Sequence, residues 1–139
     1  MNHLLRIFIF SAILLSLFSS TCFADNFPTQ AISAAEQFIS LIDKKDYDSA
    51  YKVSSDLLKM IDAESEWIKE RELSVLLLGT VQERKLVSIQ ARDSYPSLPD
   101  DEYLLIYFEA RTERKEKAAE VLLVNLAGDA WQVCSYLLK

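Results

Sequence analysis

Histidine is almost absent from this 139-residue chain: the single one is His3, and only two cysteines, Cys22 and Cys134, accompany it. His3 and Cys22 both fall in an N-terminal stretch with the three parts of a secretory signal peptide. His3 and Arg6 come first, an apolar run from Ile7 to Phe18 follows, and small residues close the stretch at Ala24. The apolar run is shorter than the roughly 20 residues of a spanning helix, so cleavage after Ala24 is expected rather than a permanent anchor. Residues 25–139 then form the mature chain. Cys22 stands at the depth where a lipoprotein is acylated, but Ser19-Ser20-Thr21 lacks the aliphatic and small residues of a bacterial lipobox. Periplasmic or secreted localisation is therefore expected ahead of lipidation.

Without His3 the mature chain has no side chain that titrates near neutral pH in its ordinary state. Serine-histidine and cysteine-histidine nucleophiles, and histidine-bearing metal sites, are excluded within one chain. Cys134 alone cannot close an internal disulfide. Lying among Val133, Tyr136 and Leu137 in a strand pattern, it reads as a buried, inert thiol, with pairing between chains as the other option. No block of lysine and arginine is present and the formal net charge is −6, more negative still once Arg6 is removed. Nucleic acid and anionic lipid are thereby poor partners, and no membrane association is expected after cleavage. The acidity reads as solubility.

What is present divides the chain at Leu78-Gly79, with helical spacing before it and strand patterns after it. Ile32, Ala35, Phe38, Ile39 and Ile42 share one face of a first helix that should stop near Lys44-Lys45. Asp46 caps a second, with Tyr47, Ala50, Tyr51, Leu57, Leu58 and Ile61 as its apolar face. A third runs from an Asp62 cap to Gly79, with Trp67, Arg71, Ser74 and Leu78 on its stripe and Leu73, Leu76 and Leu77 widening it, so this helix is expected to be buried. The acidic run Asp62 to Glu66 has the spacing of a solvated first turn and lacks the glycine and distal glutamate of a calcium loop; no metal or cofactor is expected.

After Gly79 four strands are expected. The first is built from Val81, Leu86, Val87, Ile89 and Ala91, broken or bulged around Glu83-Arg84-Lys85. The second spans Tyr103 to Thr112, the third Lys117 to Ala127 and the fourth Trp131 to Leu138. Asp93 to Asp101 reads as a surface loop, Glu113 to Glu116 as a hairpin tip and Gly128-Asp129 as a tight turn. Short links make the strands antiparallel. The fold class is α+β, one domain over residues 25–139, with three N-terminal helices packed on a curved four-stranded antiparallel sheet. Several strands are apolar on both faces, so the face away from the helices needs a cover: curvature, a loop, a protein partner or a homodimer through the sheet face.

Trp67, Arg71, Leu78-Gly79, Arg84, Pro99 to Tyr103, Lys117, Ala119-Glu120, Trp131 to Val133 and Ser135-Tyr136, in that order, resemble the bacterial exported family called domain of unknown function 4019. The resemblance runs from about Ala31 to Tyr136; Ser135 stands where the family more often has glycine. It implies a cystatin-like or nuclear-transport-factor-like cone and brings no activity with it. In such a cone Arg84, Glu120 and Arg71 would meet, walled by Trp67, Tyr107, Trp131 and Tyr136, as a small-ligand pocket. Read as residues, Arg84 and Glu120 form a structural ion pair and the tryptophans are core. The expected function is a non-enzymatic exported binding or interaction module. The alternative is a small-molecule enzyme using Glu120, Glu109 or Tyr107 as general base, and a third reading makes Tyr95 to Asp101 an inhibitor-like wedge.

Overall fold

A computed structural model describes residues 27–139. The expected signal peptide, with His3, Cys22 and the Ala24 cleavage point, lies outside the described residues. Helix α1, Thr29–Asp43, buries Ala31, Ala35, Phe38, Ile39 and Ile42, the face its spacing predicts. It ends where Lys45 turns to a φ of 58°. The Asp46 carboxylate then accepts the Ser49 N–H at 3.3 Å and opens α2, Tyr47–Val53.

The expected second helix is in fact two, which makes four helices rather than three. Ser54 and Ser55 are extended, with ψ of 164° and 151°, and α3 restarts at Asp56–Ile61. Serine side chains satisfy the break. The Ser54 hydroxyl donates to the Tyr51 carbonyl at 2.6 Å, and the Ser55 hydroxyl accepts the Leu57 N–H at 3.2 Å. Such local bonds compete with helix continuation. The break also frees the Ser55 N–H to reach the Val133 carbonyl at 2.8 Å, tying the helical layer to the sheet.

Helix α4, Glu64–Leu78, is capped by Ala63, not Asp62, whose carbonyl instead accepts the Tyr51 hydroxyl at 2.7 Å. The expectation of a buried leucine stripe is overturned. Trp67 and Arg71 face inward, whereas Leu73, Leu76 and Leu77 on the far side are 52%, 64% and 64% exposed. Gly79 closes the helix at φ 77°, its N–H on the Val75 carbonyl at 2.8 Å. The 113–116 hairpin tip covers this end: the Thr112 hydroxyl and the Arg114 N–H donate to the Leu78 carbonyl at 2.5 and 3.0 Å, and the Arg114 guanidinium donates to that of Leu76. The orphan carbonyls of the last turn are thus partnered by a distant hairpin.

The strands are β1 Val81–Arg92, β2 Tyr103–Thr112, β3 Ala118–Ala127 and β4 Ala130–Leu138, an open antiparallel sheet in the order β1-β2-β3-β4. The fold class is therefore α+β, with α1 packed chiefly on β3 and β4. Strand β1 is bulged rather than broken around Glu83-Arg84-Lys85, with register shifts on either side, between Val81 and Glu83 and between Leu86 and Ser88. In β4 a shift at Cys134 changes the phase, so that Trp131 and Val133 before it and Tyr136 and Leu138 after it all join the helix-side core.

The loop after β1 supplies the cover for part of the outer face. Tyr95 and Leu98, with Leu57 from α3, pack on Tyr103, Leu123 and Cys134. The Tyr103 hydroxyl holds the loop by donating to the Pro99 carbonyl at 2.5 Å, and the Asp101 N–H reaches the Asp93 carbonyl at 3.2 Å. Tyr95 and Leu98 thus anchor the loop on the sheet, while Pro96, Ser97, Pro99 and Asp100 between and beyond them stay exposed.

Candidate functional site

Two polar groups of the sheet meet on its helix side because their strands place them there. Arg84 pairs in register with Ala110 on β2, and Glu120 of β3 pairs with Phe108 on the same strand. Ala110 is small and buried, which leaves room for the Arg84 side chain to pass over β2 and reach Glu120. Arg84 binds the carboxylate through Nε and, at 3.1 Å, through Nη2. The same guanidinium takes Asp43 at the end of α1 at 2.8 and 2.6 Å. Tyr136 completes the arrangement, its hydroxyl donating to Glu120 Oε1 at 2.8 Å.

Glu120 is fully buried and is the only buried carboxylate among the described residues. These donors offset the cost of burying it, since a carboxylate left unpaired in such surroundings is very costly. Burial pulls the Arg84 guanidinium down, but the bonds to Asp43 and Glu120 outweigh it and leave its pKa raised. The Tyr136 phenol is pushed well above its ordinary value, first by burial and then by the Glu120 charge.

Arg71 joins through Tyr136 rather than through Glu120. Its Nη1 donates to the Tyr136 carbonyl at 2.8 Å and its Nη2 to Glu70 at 3.1 Å, while Nε has no hydrogen-bond partner. The guanidinium carbon lies 5.2 Å from the ring centres of both Trp67 and Tyr136, a distance at which a cation is attracted to an aromatic face. Burial lowers its pKa, countered by the negative and phenolic groups around it. Arg71 also satisfies a carbonyl on the outer edge of β4, as the Ser55 N–H does at Val133.

Of the seven pocket residues expected from sequence, Arg84, Glu120, Tyr136, Arg71 and Trp67 are thus connected. Tyr107 is not among them. It stands between Ile106 and Phe108, which face the helices, and so points to the opposite face, beside Glu109, Lys117 and Ala119. Trp131 faces the helices but sits at the far end of β4, opposite Leu126 and next to Thr29 and Ser33 on α1.

Space for a ligand lies beside this network, not within it. A cleft of about 170 Å³ is lined by Leu58, Asp62, Trp67, Glu70, Arg71, Tyr95, Pro96, Leu98 and Tyr136, among others; Arg84 and Glu120 are absent from its walls. A second cavity of about 50 Å³ lies between Ile42, Asp43, Tyr47, Arg71 and Gly79 and has room only for a few waters. Sequence reasoning missed Asp43, whose helix-ending position gave no hint of a partner, and Tyr95, which it placed in a solvent-facing loop.

Fold and site together define a small α+β domain whose buried carboxylate, Glu120, is engaged by Arg84 and Tyr136 and which has an aromatic-walled cleft beside that network. The chain belongs to the family described as protein of unknown function (DUF4019), whose model matches residues 34–136. No curated protein matches it.

Proposed function

We propose that the protein is an exported, non-enzymatic binding or interaction module. The observation that carries this reading is the closure of Glu120. A general base needs a carboxylate lone pair free to take a proton and a substrate beside it. The Arg84 guanidinium and the Tyr136 hydroxyl occupy Glu120, which lines neither the rim cleft nor the smaller cavity beside it. Glu109 and Tyr107 line an open depression with Lys115, Lys117 and Lys139, where Glu109 is exposed and Tyr107 partly so.

Recognition by the rim cleft fits the chemistry better. Trp67, Tyr95, Pro96 and Leu98 offer apolar walls, Glu70 and Arg71 offer polar groups, and about 170 Å³ suits one aromatic side chain or a small molecule. The layout of residues 1–24 supports export to a bacterial periplasm or medium. Helices on one face of a four-stranded antiparallel sheet support a relation to the cystatin-like cone.

Native mass spectrometry of the protein taken from the envelope fraction of its host tests the reading. The expected result is a mass beginning at Asp25 that carries a stoichiometric adduct, lost when Trp67 is replaced by leucine. A mass that retains residues 1–24 would overturn export. Turnover of small apolar substrates that disappears in Glu120→Gln with an unchanged melting temperature would overturn the non-enzymatic reading.

A further inference from the structure

The two edges of the sheet are treated differently. On β4 the outward carbonyls of Val133 and Tyr136 are taken by the Ser55 N–H and by Arg71. On β1, among the described residues, no strand pairs with the outer edge. Exposed edges normally carry charged guards. Glu83, Arg84 and Lys85 guard the first half of β1, but the stretch from Leu86 to Ala91 carries no charge, and Leu86 and Val87 are about half exposed.

We propose that the outer edge of β1 pairs antiparallel with β1 of a second copy of this chain, joining two four-stranded sheets across a two-fold axis. This differs from association through the sheet face and does not depend on the rim cleft. The register that the residues favour sets Leu86 opposite Ile89 of the second copy, Val87 opposite Ser88, and Glu83 opposite Arg92.

Three features select this occupant. The first is the bulge. Val87 has no partner on β2, because the register shifts between Leu86 and Ser88. An added regular strand would be out of step beyond that point, whereas a strand bulged at the same place keeps pace, and β1 of another copy is such a strand.

The second is facing. Leu86 and Ile89 pair with Phe108 and Ile106, both on the helix side, so the two apolar residues brought opposite each other lie on the same face. Glu83 and Arg92 pair with Arg111 and Tyr103, both turned to the outer face. A one-residue slip would set inward residues against outward ones.

The third is charge. Glu83 meets Arg92 twice, once on each side of the axis, and an isologous interface requires that kind of self-complementarity. Both side chains keep hydrogen-bonding capacity for a second partner. Glu83 is exposed and accepts Arg111 on both oxygens, at 3.0 and 3.3 Å, with one lone pair left on each, and among the described residues the Arg92 guanidinium hydrogen-bonds Gln90 alone, at 2.6 Å.

Sedimentation equilibrium of the full-length chain over a range of concentrations is the test, with hydrogen exchange of the β1 amides alongside it. The expected result is reversible dimerisation that protects amides of the Leu86–Ala91 stretch. Glu83→Arg and Arg92→Glu should each raise the dissociation constant roughly tenfold or more, and the double reversal should restore it. If Glu83→Arg disturbs the fold through Arg111, Arg92→Glu still reports, because among the described residues the exposed Arg92 side chain hydrogen-bonds only its strand neighbour Gln90. A monomer at every concentration overturns the proposal. So does a dimer indifferent to both reversals, or protection of β1 by a different chain that copurifies.

Discussion

Arg84 and Glu120 clasp one another across an intervening strand, the side chain of β1 passing over Ala110 of β2 to reach the carboxylate on β3. Glu120 has no access to water and Arg84 is 19% exposed, so the pair is asymmetric: only the arginine keeps a second, partly solvated partner in Asp43.

Removing Arg84 should therefore cost far more than the pair itself contributes. Arg84→Met leaves a buried charge beside one tyrosine, and a loss of about 3 kcal/mol or more is expected in urea unfolding. Adding Glu120→Met should recover much of it. A single variant with the wild-type midpoint would show that Glu120 finds its charge balance elsewhere.

Gly79 has two reasons to resist substitution. Its φ of 77° disfavours a side chain, and an added Cβ would lie 2.6 Å from both Cβ and Oε2 of Glu113. The Glu113 carboxylate accepts the Thr80 N–H at 3.0 Å, so moving aside breaks the lock between the hairpin tip and α4. Gly79→Ala should lower stability by about 1 to 2 kcal/mol, read from the thermal midpoint. A neutral result would mean that the hairpin tip yields freely.

Alkaline pH should destabilise the fold through groups that burial holds neutral. The Cys134 thiol is pushed up to about 12 by burial, and Tyr47, Tyr103 and Tyr136 are raised mainly for the same reason. Above about pH 8.5 the unfolded thiol ionises while the folded one stays protonated. The native state then holds more protons, and stability falls as pH rises through the folded values. Urea midpoints measured from about pH 8 to about pH 11 should decline, less steeply in Cys134→Ala. A flat profile would contradict the burial of these groups.

Leu73, Leu76 and Leu77 should tolerate polar replacement. As exposed residues, their change to glutamine should shift stability by no more than about 0.5 kcal/mol and should raise solubility. A loss of about 2 kcal/mol or more would place them in a packed interior.

The same three leucines show where sequence ceased to be legible. Helical spacing identifies apolar stripes but not which side of the helix the core lies on. Here the inward face is marked by Trp67 and a buried arginine, while the outward one carries leucines. The strand order and both ends of β2 were readable because turns and alternation are local signals. Arg84 with Glu120 came from the family resemblance, which set them inside one cone; the strand pattern alone does not single out Arg84, which stands between Glu83 and Lys85. Asp43, Tyr95 and the break at Ser54-Ser55 were not readable, because each is decided by a partner distant in sequence: Arg84, the outer sheet face and Val133, respectively. Tyr107 was misplaced by a single step of strand alternation, which suffices to move a side chain to the other side of the sheet.

The capping of β4 by Ser55 and Arg71 bears on how large any assembly of this protein grows. Fibrillar propagation needs two free edges per molecule, one to accept a strand and one to offer the next. Among the described residues only the β4 edge has outward carbonyls held by helices, so if β1 is the edge that docks, growth of the sheet past β4 would first require α3 and α4 to peel away from Val133 and Tyr136. For a chain with apolar strands, that is protection against its own aggregation, provided by two helices that would otherwise read only as packing.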